Sequence, residues 1–413
     1  MTAGRAVDVR AVDPDRTVKQ VLVALLLVGS ACYVLLGSPF IPARFLYDSK
    51  KIATIAGGYQ GYDSDKSFSA VGAIYRALGL ADQPMWAALL GYVLFVAVLL
   101  LSLRGRIGNA GLMSLALIAG ATVLAVVYVG TYSKDVFVLP IALIALWRRR
   151  GFWPELVLVG AMAYYAHEFR DYWYLVIGGY IGFRLVMWRG FSVRRMIGAA
   201  LAALVVLSVV FQNYLGVELD FYRTKVNEVR IGDVDTRTLI EPFFDLEGPV
   251  GSLLNSAIVL VTFAVPLPLF LRFSPYYLVV AVFLLVLWFM FARAVHLSSA
   301  ESRTDPRWAR LVALVLSLTV VQSVFEPDYG SYVRHLTPML PLMLAVILWR
   351  PRAFGRPGAP TPRPPRADLC RCKAPTCFLQ GALSGLTDPD LVSDVQVTRL
   401  TCTSDTASGG PTT

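Results

Sequence analysis

Residues 85–103 read MWAALLGYVLFVAVLLLSL, a stretch without a single charged side chain, and RGR follows at 104–106. At 1.5 Å per residue, a helix of this length spans roughly 30 Å, which matches the hydrocarbon core of a bilayer. An α-helix satisfies its own backbone hydrogen bonds, so it is the default structure for such a segment in lipid. The stretch therefore predicts a transmembrane helix that ends at a basic, cytoplasmic boundary.

Similar apolar segments recur along the first 350 residues, and almost every charged residue lies between them. They cover residues 21–36, 111–130, 136–147, 153–166, 172–188, 197–214, 253–271, 276–291, 311–325 and 336–348. Charged residues make up 16% of the chain, whereas a soluble domain carries about 25%. The sequence predicts an all-α, polytopic helical membrane protein with about 10–11 membrane segments.

The formal net charge of +10 does not indicate nucleic-acid binding, because the basic residues flank the apolar segments. Under the positive-inside rule, the basic residues at 104–106, 148–150 and 189–195 mark the cytoplasmic face. Basic residues within 1–20 place the N-terminus there as well. We expect a multi-pass protein of the inner (plasma) membrane with both termini in the cytoplasm.

The alternation of segments predicts a membrane domain over residues 21–350 with two long outer loops, 38–84 and 215–249. A full span at 253–271 would put the basic stretches 303–310 and 350–366 outside, which the positive-inside rule disfavours. Prolines at 266 and 268 interrupt helical hydrogen bonding. Residues 251–274 are therefore either a re-entrant or broken segment, or a Pro-kinked span with another span miscounted.

The C-terminal region changes composition sharply after the last apolar segment. Residues 351–366 are rich in Pro, Arg and Gly, and the remainder is polar without a helical period. This composition predicts a disordered cytoplasmic tail over residues 351–413.

Ionisable and aromatic residues are concentrated in the segments assigned to the outer face. Ionisable groups at span ends are costly to bury, so by default they indicate a functional site. The candidate site residues are Asp48, Lys134, Asp135, His167, Arg170, Arg237, Glu326, Asp328, Arg334 and His335.

Each of these groups also has a structural explanation. Lys134 and Asp135 can snorkel and pair at a helix junction. Arg170, which lies between Glu168 and Asp171, can form an ordinary interfacial ion pair. The convergence of all the segments on one face is what favours a site.

The residue types indicate a particular substrate. Arginine pairs bidentately with phosphate oxygens, and aromatic faces stack on sugar rings. A carboxylate or a histidine within hydrogen-bond reach of a hydroxyl can act as a general base. A polyprenyl-diphosphate-linked sugar combines these demands, with its tail in the bilayer, its diphosphate at the interface and its sugars in water.

Over about residues 15–350, the chain resembles the bacterial polysaccharide polymerases and ligases of the O-antigen polymerase type, which include exopolysaccharide polymerases. The resemblance rests on the number of apolar segments, the large outer loop at 215–249 and the basic residues near span ends. Members of that class carry an Arg-x10-Gly pattern in outer loops, and Arg237 and Gly248 have that spacing.

The resemblance implies a metal-independent, cofactor-free transfer of a glycan from a polyprenyl-diphosphate carrier on the outer face. It implies a substrate-binding role for Arg334, Arg170, Arg237, Lys134, Asp135 and His167, the cations holding the diphosphate. His335, Glu326 or Asp328 would then deprotonate the acceptor. The implied partners are the lipid-linked glycan, membrane lipids and other polysaccharide assembly proteins.

Two other classes remain open. In a multi-span glycosyltransferase that uses a polyprenyl-phosphate sugar donor, Asp48 after the first span would be the catalytic acid or a metal-linked residue. A lipid-linked-oligosaccharide flippase or another transporter would carry charges buried mid-span and repeat-related broken helices. The charges here cluster at span ends instead.

Overall fold

The computed structural model describes residues 14–36, 41–59, 66–230, 238–299 and 305–349. In these ranges every regular element is helical, and there is no strand beyond one isolated bridge between Leu239 and Asp328. The predicted all-α fold is confirmed. Residues 1–13, Arg237 and the tail at 351–413 lie outside the described residues, so the predictions made for them stay predictions.

The helices run in chain order as follows. The first eight are α1 Pro14–Leu36, α2 Tyr47–Ala56, α3 Lys66–Ala77, α4 Pro84–Leu103, α5 Leu112–Tyr128, α6 Leu139–Ala145, α7 Phe152–Glu168 and α8 Trp173–Trp188. The others are α9 Val193–Val210, α10 Phe221–Arg230, α11 Gly248–Ala264, α12 Leu267–Phe270, α13 Pro275–Leu297, α14 Pro306–Phe325, α15 Tyr329–Leu336 and α16 Leu340–Ile347.

Five of the described helices are long and apolar enough to cross a membrane: α1, α4, α13, α14, and α9 with the π turn that follows it. Three shorter apolar helices, α5, α8 and α11, accompany them. The chain is therefore a multi-pass helical membrane protein. The larger number of about 10–11 membrane segments stays a prediction.

Helix α14 lies at the centre of the bundle. Almost all of its side chains are buried, and it packs against α8, α9, α11 and α16. A helix that is apolar on every side is stable only when other helices or lipid surround it. We call the end of the bundle where α14 stops and α15 begins the site end, and the other the opposite end.

The first long loop contains a helical hairpin formed by α2 and α3, which the sequence analysis did not predict. Ile52, Val71 and Tyr75 are completely buried. A Cβ on Gly72 would lie 2.5 Å from Ile55 Cγ2, so only glycine permits this close approach of the two helices. The hairpin is therefore a packed part of the bundle, and it positions the start of α2 at the site end.

The second long loop is docked over the junction of α14 and α15. Arg223 of α10 is 1% exposed; it donates to the carbonyl of Ser323 at 2.9 Å and pairs with Asp220 at 3.1 Å. Further along, the backbone N–H of Ile240 donates to the carbonyl of Pro327 at 2.8 Å. These contacts fix both described arms of the loop at the site end.

The break predicted at Pro266 is present, because α11 ends at Ala264 and the four-residue α12 follows. The start of α11 is held at the second loop, where the N–H of Gly248 donates to Glu218 Oε1 at 2.9 Å. Near its end, Phe263 stacks on Tyr332 of α15 with 3.8 Å between ring centroids. The choice between a re-entrant segment and a Pro-kinked span stays a prediction.

Candidate functional site

Six ionisable residues from four distant parts of the sequence meet at the site end. They are Asp48, Asp135, Arg170, Glu326, Arg334 and His335, and we call them the ionic cluster. All six were predicted as candidate site residues. The convergence on one face that the sequence only suggested is therefore present among the described residues.

The turn between α14 and α15 positions two members of the cluster. Asp328 is the N-cap of α15, since its Oδ1 accepts from the backbone N–H of Ser331 at 2.8 Å. This cap starts the short helix that carries Arg334 and His335 in its last turn. Cationic side chains are favourable at that end of a helix because the helix dipole is negative there.

The hydrogen bonds of His335 define its tautomer. Nε2 lies 2.6 Å from Nη1 of Arg170 and 3.3 Å from Nη2 of Arg334. Guanidinium nitrogens only donate, so Nε2 must accept from them. A neutral imidazole carries one N–H, so Nδ1 carries it and donates to Oε1 of Glu326. His335 is thus a neutral imidazole whose Nε2 lone pair accepts from two arginines.

The charges around His335 agree with this assignment. Burial, together with the cations of Arg170, Arg334 and Lys134, holds the pKa of His335 well below its usual range. Burial raises the pKa of Glu326 to about 8, even though Arg170 and Arg334 oppose the increase. Both shifts favour the uncharged forms of His335 and Glu326.

Two aspartates balance the two arginines. Arg170 Nη2 lies 3.2 Å from Asp135 Oδ1, and Arg334 Nη1 lies 2.6 Å from Asp48 Oδ2. Asp135 also faces Arg334, with 3.4 Å between Oδ2 and Nε. Burial would raise the pKa of Asp48, but the nearby Arg334, Lys134 and Arg170 lower it below its usual value. Removing one member of such a buried network leaves an uncompensated charge, which costs about 3–5 kcal/mol.

Lys134 borders the cluster, and it forms no short ion pair with any of the described residues. Its Nζ lies 4.1 Å from the centroid of the Phe68 ring, and Nζ of Lys51 lies 4.0 Å from the same centroid. Burial, reinforced by the guanidiniums of Arg170 and Arg334, lowers the pKa of Lys134 to about 7. The cluster therefore has an amine at its edge that titrates near neutral pH.

Two candidates lie apart from the ionic cluster. Asp328 uses Oδ1 for the helix cap and Oδ2 for an ion pair with Arg230 at 2.8 Å, which supports a structural role. The His167 side chain is 67% exposed, and its carbonyl accepts from Nζ of Lys66 at 2.7 Å. Arg237 belongs to the part of the second loop outside the described residues.

The sequence did not predict the partners of Arg170 or the position of Phe68 beside the cluster. Arg170 pairs with Asp135 rather than with the adjacent Glu168 or Asp171, because the turn after α7 directs its side chain into the bundle. Its Nη1 also donates to the hydroxyl of Tyr172 at 2.6 Å. Phe68 could have been noticed, because Phe68, Val71 and Tyr75 follow the three- and four-residue spacing of a buried helix face.

Searches against protein-family models, curated proteins and solved structures give no match to this chain. The ionic cluster and the membrane-spanning helices around it are therefore the features from which a function can be inferred.

Proposed function

We propose that this protein transfers a glycan from a polyprenyl-diphosphate carrier to a hydroxyl acceptor, as a polymerase or ligase of a cell-envelope polysaccharide. The observation that carries the proposal is the position of His335 Nε2, which faces the guanidiniums of both Arg170 and Arg334. His335, which can act as a base, thus lies in contact with two arginines suited to phosphate at one end of the membrane bundle.

The two arginines are suited to the donor. A guanidinium binds phosphate oxygens through parallel, charge-assisted hydrogen bonds. Arg170 and Arg334 pair with Asp135 and Asp48. When a diphosphate binds, the two arginines exchange these carboxylates for its phosphate oxygens. The same cations then stabilise the negative charge that develops on the leaving polyprenyl diphosphate.

The acceptor is activated by His335. When the diphosphate draws the guanidiniums toward itself, the Nε2 lone pair becomes free to accept the proton of an acceptor hydroxyl. The acceptor oxygen forms a bond to the anomeric carbon, and the bond from that carbon to the phosphate oxygen breaks. Glu326, already hydrogen-bonded to Nδ1, stabilises the imidazolium, so the proton taken from the acceptor remains on His335 until product leaves.

The placement in the molecule supports a lipid-linked substrate. The ionic cluster lies where α14 ends and where the turns after α5 and α7 meet, at the ends of apolar helices. A polyprenyl tail can remain in the bilayer while the diphosphate reaches this level. We place the protein in the inner (plasma) membrane with the cluster at the outer face, where it would work beside other polysaccharide assembly proteins.

The rival glycosyltransferase function would assign the catalytic role to Asp48. The 2.6 Å contact between Asp48 and Arg334, together with the lowered pKa of Asp48, supports an ionised carboxylate that orients the arginine. That ion pair commits Asp48 to Arg334, whereas Nε2 of His335 faces both guanidiniums at which the diphosphate would bind, so we prefer His335 as the base.

The test is transfer by the purified protein in lipid nanodiscs. The donor is the lipid-linked glycan extracted from membranes of a strain that lacks this protein. We expect a ladder of longer glycans and release of free polyprenyl diphosphate, both lost in Arg334→Ala and kept in Arg272→Ala, which alters an exposed arginine. Intact donor after incubation with the wild-type protein, or transfer at equal rates by both variants, would overturn the proposal.

A further inference from the structure

A second group of charged residues lies at the opposite end of the bundle. Arg310 in the first turns of α14 and Glu326 just after its end are separated by roughly 24 Å along the helix axis. The charged residues that interact with one another at this end include Arg106, Arg148, Arg184, Arg307 and Arg310, with the acids Glu155 and Asp305. We call the five arginines the arginine cluster; the proposed transfer reaction uses none of them.

The carboxylate of Glu155 is already engaged by two members of the arginine cluster and by a tyrosine. It pairs with Arg184 at 2.9 Å and with Nε of Arg310 at 3.3 Å, and it also accepts from the hydroxyl of Tyr180. Arg310 is 0% exposed. Its Nη1 donates to the carbonyl of Trp147 at 3.0 Å, whereas its Nη2 has no hydrogen-bond partner among the described residues.

Arg307 is the most poorly compensated member. It is only 8% exposed, and its Nε has no hydrogen-bond partner in the described part of the chain. The charges that act on it most strongly are Arg148, Arg310 and Asp305. Asp305 already caps α14 by accepting from the backbone N–H of Arg307 at 2.9 Å.

Arg106 completes the group from the end of α4. Its guanidinium lies 4.3 Å from the centroid of the Trp349 ring. Burial, with the charges of Arg307 and Arg148, lowers the pKa of Arg106 to about 10. The guanidiniums therefore repel one another, and the described part of the chain sets only two carboxylates, Glu155 and Asp305, against five arginines.

We propose that the arginine cluster binds a phosphate group held chiefly by Arg106 and Arg307 at the N-terminus of α14. Buried donors without partners are costly, and an anion would satisfy the Nε of Arg307. The dipole of α14 adds favourable potential for an anion at the N-terminus of this helix. Basic pockets between membrane helices bind the headgroups of anionic lipids in this way. The phosphate belongs either to such a headgroup or to a free phosphate ion.

The test measures the melting temperature of the purified full-length protein in a zwitterionic detergent. Phosphatidylglycerol is added in one arm and inorganic phosphate in the other, with chloride at equal ionic strength as reference. We expect one of the two to raise the melting temperature of the wild-type protein, and the responding arm identifies the source of the phosphate. In Arg106→Gln, we expect the ligand concentration at half-maximal effect to rise about tenfold, a change of about 1.4 kcal/mol.

Arg104→Gln is the matched control, because Arg104 is an exposed arginine two positions from Arg106. Its response should equal that of the wild type. Arg106 is half-buried at the surface of the cluster, so its glutamine variant is expected to fold; native elution on size exclusion verifies this. A wild-type protein that responds to neither ligand, or an Arg106→Gln variant that responds like the control, would overturn the proposal.

Discussion

Nη1 of Arg170 lies 2.6 Å from Nε2 of His335, although the two residues are 165 positions apart in the chain. Because an arginine donates and cannot accept, this contact requires an unprotonated Nε2 and directs the one imidazole proton to Glu326. The contact therefore connects the proposed anion-binding group, Arg170, with the proposed base, His335, so a ligand that binds one of them should alter the other.

Arg334→Ala should lower the rate of glycan transfer by about 10²–10³-fold, the usual effect of removing a group that stabilises developing negative charge. Arg334→Lys should restore little of this rate, because an ammonium cannot contact Asp48, Asp135 and a phosphate with the geometry of a guanidinium. The measurement is transfer rate in nanodiscs per mole of inserted protein. Activity of Arg334→Ala within a few-fold of Arg272→Ala would assign a structural role to Arg334.

Glu326→Gln should change how stability depends on pH. The pKa of Glu326 is raised to about 8 in the folded protein from a model-compound value of 4.5, so the folded state retains a proton that the unfolded chain loses. The stability from this group is complete below about pH 4.5 and declines as pH rises to about 8. The permanently neutral glutamine avoids this decline, and its melting temperature should exceed that of the wild type increasingly between about pH 5 and pH 8. Glu241→Gln, at an exposed position, should follow the wild-type curve; parallel curves for both variants would refute the assignment.

The melting-temperature advantage of Lys134→Met over the wild type should instead decrease as the pH rises. Burial, reinforced by Arg170 and Arg334, lowers the pKa of Lys134 to about 7 from 10.5, so the unfolded chain binds more protons between these values and wild-type stability rises with pH there. Methionine removes the cost of the buried charge. We expect Lys134→Met to melt above the wild type by its full margin below about pH 7, and to lose that advantage progressively as the pH rises to about 10.5. Lys225→Met is the control, at a side chain that is 59% exposed; a Lys134→Met advantage that does not change with pH would contradict the account.

The sequence predicted the helical segments well because their length and lack of charge are local properties. It missed the α2–α3 hairpin because residues 47–77 mix polar and apolar residues, although Phe68, Val71 and Tyr75 have helical spacing. Six of the ten candidate site residues meet in the ionic cluster. Their partners could not be predicted, since the pairing of Arg170 with Asp135 depends on how the turns after α5 and α7 pack together.

The role of Asp328 illustrates the same limit of a local pattern. An aspartate between acids and aromatics, close to Arg334 and His335, suggested a base. Asp328 followed by Ser331 is also an N-cap pattern, and the structure uses it as one. Whether Asp328 is a base or a helix cap depends on the start of α15 at Tyr329, and the apolar pattern alone did not indicate that start.

Gly91→Ala should disturb the site through the backbone. A Cβ on Gly91 of α4 would lie 2.1 Å from the carbonyl oxygen of Val129 and 2.8 Å from Val136 Cγ2, and Val136 belongs to the turn that carries Asp135. Overpacking of this kind costs about 1–3 kcal/mol. We expect a lower melting temperature and a reduced transfer rate. In α7, Gly160 has nothing within 4 Å of its Cβ position, so Gly160→Ala should leave both quantities unchanged or slightly raise stability.

The most direct test of the central claim, that His335 is the base of a glycan transferase, is the length distribution of cell-surface polysaccharide. A strain lacking the protein is complemented with the wild type, with His335→Gln or with Arg272→Ala, each at equal membrane abundance. We predict that the wild type and Arg272→Ala restore long chains, whereas His335→Gln leaves single repeat units. Long chains in the His335→Gln strain, or an unchanged profile in the strain that lacks the protein, would contradict the account.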